Sequence, residues 1–148
     1  GLELALRCDI RIATPDSQFG LPEPRWSLLA GYGLHNLNRM VPLGEALYMQ
    51  LTGDRISAQR GYEIGLIQRI VPAERLIEEA TQVADSILLC APLAVQAIKR
   101  IVMTGKNLPI EYSWKYAEPI QDRLTGTEDS IEGPRAFAEK RRPVWKSR

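Results

Sequence analysis

Residues 19–24 read Phe-Gly-Leu-Pro-Glu-Pro, and this corner, with the segment that leads into it, determines the class of fold that the sequence predicts. In residues 9–14 (DIRIAT) apolar and polar side chains alternate, which is the period-two pattern of a half-buried β-strand. Residues 15–17 (PDS) predict a turn, and residues 18–20 (QFG) predict a short extended piece that Pro22 ends. This part of the chain is therefore expected to contain strands joined by tight turns.

Short helices and one more strand are predicted around this corner. Leu2 to Cys8 has no helix breaker after Gly1, which indicates a short buried helix. The Ser57 hydroxyl can accept from free backbone N–H groups and so cap a helix that ends near Gly65. The other elements are a glycine-containing loop at 26–33, helices at 34–40 and 44–51, and a strand at 66–71.

From residue 73 onward the pattern becomes helical. Apolar stripes with helical spacing run through 76–88 and 92–102, and the second helix starts at Pro92, where proline is tolerated. Two further helices are predicted, one at 110–124 that is interrupted or kinked at Pro119 and one that opens at Thr127. The chain thus divides into an α/β part at 1–72 and a helical part at 73–148. The helical part has more apolar stripe than it can bury alone, which indicates packing on another chain.

Composition excludes several classes of function. The 148 residues carry a net charge of +1, which does not suggest a nucleic-acid partner. No apolar run approaches the ~20 residues that cross a bilayer. Cys8 and Cys90 lie far apart, have no metal-type spacing and are expected to be reduced thiols inside a cell. We therefore expect a cytoplasmic protein with no metal, no membrane segment and no nucleic acid.

Two glutamates and a basic run are the candidate functional groups. Glu3 lies in an otherwise apolar segment, and Glu23 follows the stiff corner at 19–22. Each is either an ordinary surface acid or a carboxylate at the wall of a pocket. Burial of a carboxylate without a partner would cost free energy of folding. The run 140–142 (KRR) is either a solvated helix end or a phosphate-binding site.

Several segments together resemble the enoyl-CoA hydratase/isomerase (crotonase) family, in the order and spacing of that family and over the whole chain. The final stretch, from Glu128 to Lys146, is similar to that of carnitinyl-CoA dehydratases. The segments that carry the resemblance are 1–5 (GLELA), 8–13 (CDIRIA), 19–23 (FGLPE), 51–58 (LTGDRISA), 65–67 (GLI), 71–72 (VP), 91–94 (APLA) and 132–141 (EGPRAFAEKR).

The resemblance implies an enzyme that handles acyl-CoA thioesters, with coenzyme A entering only as part of the substrate and no separate cofactor. Glu3 and Glu23 stand where hydratases carry two glutamates that hold one water molecule and move its protons to and from the 2,3 double bond. Gly31 matches a loop glycine that helps to hold that water, although the surrounding loop, AGYGLH, differs from the family's usual sequence. Trp26 is a bulky side chain beside Glu23 that would shorten or reshape the acyl site.

The resemblance also implies an architecture and an assembly. Residues 1–72 would be the C-terminal part of the crotonase (ClpP-like) spiral core, and residues 73–148 would be its helical trimerisation region. Phe137 and Lys140 match residues that contact the adenine and phosphate of CoA across a subunit boundary. The implied partners are an acyl-CoA of fatty-acid metabolism and two or more further copies of the chain, in a homotrimer or a hexamer formed by two trimers.

The start of the chain leads to one more expectation. Gly1-Leu2-Glu3-Leu4-Ala5 has no initiator methionine and no polar lead-in, so we expect a fragment that lacks its N-terminal part. Both oxyanion donors of the family would then be absent, and the loss of one such donor costs ~2.7–4 kcal/mol of transition-state stabilisation. The fragment alone is expected to be inactive. The alternatives are an enoyl-CoA isomerase and a non-catalytic oligomerising module.

Overall fold

The computed structural model describes residues 1–148, which form two compact units, Gly1–Thr81 and Gln82–Arg148. The sequence pattern predicts a boundary after residue 72, one residue beyond the end of the last predicted strand. The structure instead divides the chain within the helix α5 (Leu76–Leu88). This difference arises because the first turns of that helix pack with the residues that precede it.

The first unit is built from short elements. Its helices are α1 (Leu2–Ala5), α2 (Tyr32–Asn36), α3 (Leu43–Thr52) and α4 (Ala58–Glu63), with 3₁₀ turns at Glu23–Trp26, Leu37–Arg39 and Ala73–Arg75. Its strands are β1 (Ile12–Ala13), β2 (Gln18–Phe19), β3 (Ile56–Ser57) and β4 (Arg69–Ile70). β1 pairs in parallel with β4, and β2 pairs in antiparallel with β3. The unit is therefore mainly helical, with less strand than the sequence predicts.

Both long strands predicted from the sequence, at 9–14 and 66–71, are shorter in the structure: the ladder pairs only Ile12–Ala13 with Arg69–Ile70, and at its start a side chain replaces one backbone partner. The Arg11 N–H donates to the side-chain Oε1 of Gln68 at 2.9 Å, where a ladder bond to backbone would otherwise continue the sheet. The Arg11 guanidinium donates to the carbonyls of Leu66 and Cys8, each at 2.6 Å. The alternation in residues 9–14 therefore marks a strand whose ladder covers only its middle.

The helices of the first unit follow the sequence more closely. α3 extends one residue beyond each end of the predicted 44–51, and it ends at Gly53, whose φ of +66° suits glycine. Ser57 caps α4 as predicted, since its side chain accepts from Arg60 N at 3.2 Å. The predicted buried helix at 2–8 is wrong in its extent and burial, because α1 ends at Ala5 and Leu4 is 72% exposed.

The core of the first unit gathers side chains from helices, from strands and from the segments that connect them. Its fully buried large side chains are Leu6, Leu21, Leu37, Met49, Leu66 and Ile67. Leu21 belongs to the corner at 19–24, so the core fixes the segment that leads to Glu23. Burial of one such side chain stabilises the fold by about 1.5–3 kcal/mol.

The second unit contains the rest of α5 and three further helices, α6 (Pro92–Gly105), α7 (Ile110–Thr125) and α8 (Glu128–Ala138). Pro92 lies at the start of α6 as predicted, and α7 runs through Pro119 without a break. A side chain at Gly105 would collide with Ser113, so α6 and α7 approach closely there. None of the helices alone has the length and apolar composition of a membrane span, and one bent pair of helices reaches that length and composition only in combination.

Most apolar side chains of the second unit are exposed. Its only buried residues are Gly105, Ile120, Asp129 and Ala136. The large hydrophobic side chains that remain exposed there are Ile87, Leu88, Leu89, Ile98, Val102, Met103, Leu108, Ile110, Tyr112, Trp114, Ile131, Phe137 and Val144. The apolar stripes predicted from the sequence therefore exist as helix faces that this unit does not itself cover.

The last residues of the chain fold back onto the start of α8. The buried Asp129 carboxylate accepts from the backbone N–H groups of Lys146 and Ser147, at 2.7 and 2.9 Å. Glu132 binds the Arg141 guanidinium with both oxygens, at 2.6 and 2.9 Å, and also accepts from Val144 N at 2.9 Å. The hydrogen bonds from Arg141 and from Val144 lower the pKa of Glu132 to about 2. The tail is thus held by hydrogen bonds to the carboxylates of Asp129 and Glu132.

This arrangement predicts an acid-sensitive tail. Because the pKa of Glu132 falls from its usual 4.5 to about 2 on folding, its stabilising contribution is present above pH 4.5 and is lost as the pH falls towards 2. Glu132→Gln should lower the thermal unfolding midpoint at pH 7, and the difference from wild type should shrink as the pH falls below 4.5. Glu118→Gln, at an exposed acid of α7, is the control. A difference that does not change between pH 7 and 3 would contradict the prediction.

Candidate functional site

The Glu3 carboxylate lies against the two glycines that open α2. Gly33 N donates to Glu3 Oε1 at 3.3 Å. A Cβ atom added to Gly31 would lie 3.2 Å from Glu3 Oε2, so this oxygen also approaches the loop closely. Gly31, at the N-cap of α2, provides no side-chain cap. The Glu3 carboxylate therefore accepts a hydrogen bond from the N-terminal turn of α2. Both of its oxygens lie next to residues 31–33, the glycine loop.

Gly33 is the point at which two segments of the site converge. A Cβ atom there would lie 2.9 Å from Leu21 Cδ1 and 3.5 Å from Glu3 Oε1. Gly33 and Leu21 are both buried, so these atoms have no free space into which to move. Glycine at this position allows Glu3 and the corner that carries Glu23 to pack against the same point of α2.

Glu23 begins the 3₁₀ turn Glu23–Trp26 between Pro22 and Pro24. The two prolines restrict the backbone on either side of the carboxylate. The Glu23 carbonyl accepts from Leu28 N at 3.1 Å, which closes the turn. Glu23 Oε2 is buried and is the one buried side-chain oxygen or nitrogen that has no hydrogen-bond partner. A rigid backbone thus holds a carboxylate whose buried oxygen binds nothing within the protein.

Arg25 ties this turn to the end of α3. Its Nε donates to the Thr52 carbonyl at 3.0 Å, and its guanidinium pairs with Asp54. A Cβ atom at Gly53 would lie 3.1 Å from Arg25 Cγ, so glycine there leaves room for the arginine side chain. The position of Glu23 is therefore set both by the core, through Leu21, and by a surface contact, through Arg25.

Trp26 ends the same turn, and its side chain is 75% exposed. Beside the turn lies a small cavity of about 40 Å³ that neither Glu3 nor Glu23 lines. Its walls are Leu21, Pro24, Leu28, Leu29, Ala30, Leu34 and Gln50. The corner therefore presents a largely apolar surface next to Glu23, with Trp26 at its outer end.

Phe137 and Lys140 belong to the second unit. Phe137 lies near the end of α8 and is 87% exposed. Lys140 follows the helix with a φ of +53°, in the left-handed region that glycine normally occupies. The bonds from Lys140 N to the Phe137 carbonyl and from Arg141 N to the Ala136 carbonyl form a Schellman motif around it. Arg141 is paired with Glu132 and Glu139, whereas the Lys140 ammonium makes no ion pair.

The structure brings Glu3 and Gly31 into contact and places Glu23 and Trp26 on one turn. Three residues of this neighbourhood, Arg7, Leu21 and Gly33, were not among the site residues predicted from the sequence. Gly33 could have been found as the second glycine of Gly31-Tyr32-Gly33, whereas the contact of Arg7 with Tyr32 joins segments whose proximity no sequence pattern indicates. No cluster of His, Cys, Asp and Glu side chains is placed to hold a metal ion.

Comparison with known proteins identifies the family. The sequence profile of the enoyl-CoA hydratase/isomerase family matches residues 1–148. The (E)-benzylidenesuccinyl-CoA hydratase of Thauera aromatica is 40% identical over 147 residues, which are 99% of this chain and 57% of that protein. The carnitinyl-CoA dehydratase of Salmonella typhi is 34% identical over 153 aligned positions, with coverage of 100% and 59%.

A solved structure agrees with these sequence relatives. The crystal structure of an enoyl-CoA hydratase/isomerase from Mycobacterium paratuberculosis superimposes with a TM-score of 0.93 at 41% identity, over 99% of this chain and 59% of that one. The chain thus spans less than two thirds of the length of the relatives that it matches. Because the match covers every residue described above, the chain belongs to the enoyl-CoA hydratase/isomerase family.

Proposed function

We propose that this chain carries the acid–base pair of an acyl-CoA hydratase or dehydratase, with Glu3 and Glu23 acting on water and on the 2,3 double bond of the thioester. The two relatives described above are named as a hydratase and a dehydratase of CoA thioesters. A lyase of this kind adds or removes water and needs two groups that exchange protons at neighbouring carbon and oxygen atoms.

The observation that carries the proposal is the buried, unpartnered oxygen of Glu23. A buried polar atom without a hydrogen bond costs about 1–3 kcal/mol, more for a charged group, and such atoms in folded proteins call for an explanation. The prolines at 22 and 24 and the bonds of Arg25 hold this turn in place. A structural role would be better served by a partnered carboxylate, so a substrate or water molecule is the partner that we assign.

The two glutamates differ in their surroundings, and this difference suits a division into one proton acceptor and one proton donor. Glu3 Oε1 already accepts from Gly33 N, so this carboxylate is oriented by the α2 backbone. Glu23 Oε2 has no hydrogen-bond partner within the chain, so it is free to bind a water molecule. In the hydration direction one carboxylate takes a proton from water while the other supplies one to the α-carbon of the thioester. We assign no backbone donor of these residues to the enolate oxygen, which such reactions also require.

Glu3→Gln and Glu23→Gln, made separately in the protein expressed from its complete gene, should each reduce the turnover of a 2-enoyl-CoA. The amide retains the shape of the side chain but cannot exchange a proton, so the expected loss is at least about 10²-fold. The rate of hydration is measured from the loss of absorbance of the conjugated thioester. Glu118→Gln on α7 is the matched control and should retain full activity.

The same experiment distinguishes the alternatives. Near-normal turnover in both variants would refute the assignment of the acid–base pair. Conversion of a 3-enoyl-CoA to a 2-enoyl-CoA without addition of water would indicate an isomerase. A tight oligomer in sedimentation with no affinity for a CoA thioester would indicate a non-catalytic module.

Gly31→Ala should lower turnover by displacing Glu3. The added methyl group would lie 3.2 Å from Glu3 Oε2, and the flexible carboxylate would shift by a few tenths of an ångström to avoid it. We expect turnover to fall by about 3- to 10-fold while the thermal midpoint changes little. Gly44→Ala, where nothing lies within 4 Å of the new methyl group, is the control. Equal turnover in the two variants would contradict this prediction.

We further propose that the second unit binds the CoA moiety and joins copies of the chain into a homotrimer or hexamer. The exposed apolar faces of α5 to α8 support the assembly, because they remain uncovered within the unit. Phe137 is exposed and available to stack on adenine, and the free Lys140 ammonium is available to a phosphate. The left-handed backbone at Lys140 supports a binding role, since glycine would fit that position with less strain.

The variant Lys140→Gly should separate the effect of Lys140 on binding of the CoA thioester from its effect on the stability of the fold. Relief of the left-handed strain should stabilise the fold by about 1 kcal/mol, which would raise the thermal midpoint. Loss of the ammonium should raise the KM for the CoA thioester by about 2- to 5-fold with kcat unchanged. Lys140→Ala, which retains the strain, should raise KM equally without the gain in stability. An unchanged KM in both variants would remove Lys140 from the binding site.

A further inference from the structure

We propose that Arg7 is a positioning residue for Glu3, acting through the ring of Tyr32; this inference rests on the proposed function of Glu3. The Arg7 guanidinium carbon lies 4.1 Å from the centroid of the Tyr32 ring, at the distance of a cation–π contact. Arg7 follows α1, and its N–H donates to the Leu4 carbonyl at 3.0 Å, so it continues the turn that carries Glu3. One stretch of backbone thus presents both side chains to α2.

Tyr32 lies between the two glycines that contact the Glu3 carboxylate. Gly33 N donates to Glu3 Oε1 at 3.3 Å, and Gly31 approaches Glu3 Oε2. Glycines restrict the backbone least of all residues, so the path of this loop depends on what holds the residue between them. The Tyr32 ring is the only side chain of Gly31-Tyr32-Gly33, and the guanidinium of Arg7 stacks over it.

Besides the packing of Tyr32, Gly33 and Leu34 on the core, α2 has few polar contacts that fix the direction of its first turn. It has five residues, and no side chain caps its N-terminus. The bond from Gly33 N to Glu3 is long, at 3.3 Å, and therefore weak. Because the Arg7–Tyr32 stack joins the same two segments, it holds the glycine loop at the distance that keeps the carboxylate oriented. Without the stack we expect the loop to move and Glu3 to sample other directions.

The first test is steady-state kinetics on the protein expressed from its complete gene. Arg7→Ala and Tyr32→Leu should each lower kcat for a 2-enoyl-CoA by about 3- to 20-fold with KM unchanged, since a cation–π contact contributes about 0.5–2 kcal/mol. Tyr32→Phe keeps the ring and should keep kcat. Arg7→Lys should recover part of the loss. The double variant Arg7→Ala/Tyr32→Leu should be no slower than the slower single variant, because both changes remove one interaction.

The control and the second readout separate this inference from the proposed function. Arg39→Ala removes an exposed arginine that bonds the His35 carbonyl at the other end of α2 and should leave kcat unchanged. Amide hydrogen exchange of residues 30–36, measured by mass spectrometry, should become faster in Arg7→Ala and should not change in Arg39→Ala.

If Glu3→Gln abolishes turnover while Arg7→Ala has normal kcat and unchanged exchange, the positioning role is overturned and the function of Glu3 stands. If Glu3→Gln retains turnover, the proposed function fails. Faster exchange in Arg7→Ala would then still support the role of the stack in positioning Glu3, and unchanged exchange would refute it.

Discussion

The close packing around Gly33 is the constraint on which the rest of the site depends. The absence of a side chain there allows Leu21, from the core, and Glu3, from α1, to approach the same point of α2. Leu21 precedes Glu23 by two residues, and Pro22 joins them without freedom in φ. The hydrophobic burial of Leu21 therefore also determines where the segment of Glu23 runs relative to α2. Core packing and the position of the candidate acid–base groups are thus a single feature of this fold.

The two units differ in how their polar and apolar groups are placed. In the first, a buried core holds polar groups in fixed directions, and one of these, Glu23 Oε2, is left without a partner. In the second, the apolar side chains are mostly exposed, and the ordered polar contacts are concentrated at α8 and the tail. Arg141 is bound by two carboxylates there, while its neighbour Lys140 is free although its backbone is strained. The first pattern suits chemistry on a small group, and the second suits contacts with other molecules.

The sequence predicted the helices better than the strands. Helix ends depend on local groups such as the Ser57 hydroxyl and Gly53, which interact with residues three or four positions away. Strand length depends on a distant partner, and alternation cannot reveal that Arg11 N bonds the side chain of Gln68 where the parallel ladder begins. Glu3, Glu23 and Gly31 were predicted as site residues because their segments resemble a family. Gly33 and Arg7 were missed because their contacts cross from α1 to α2.

The sequence by itself determined the family, the helical character of the later half and the two glutamates as candidates, because these are properties of residue identity and spacing along the chain. It could not distinguish, within Lys140-Arg141-Arg142, the free ammonium from the paired guanidinium. Only the tertiary structure showed that Glu3 meets the glycine loop, that Arg7 covers Tyr32 and that one oxygen of Glu23 is buried without a partner. These facts depend on distances between residues far apart in the chain, and burial in a shared core sets those distances.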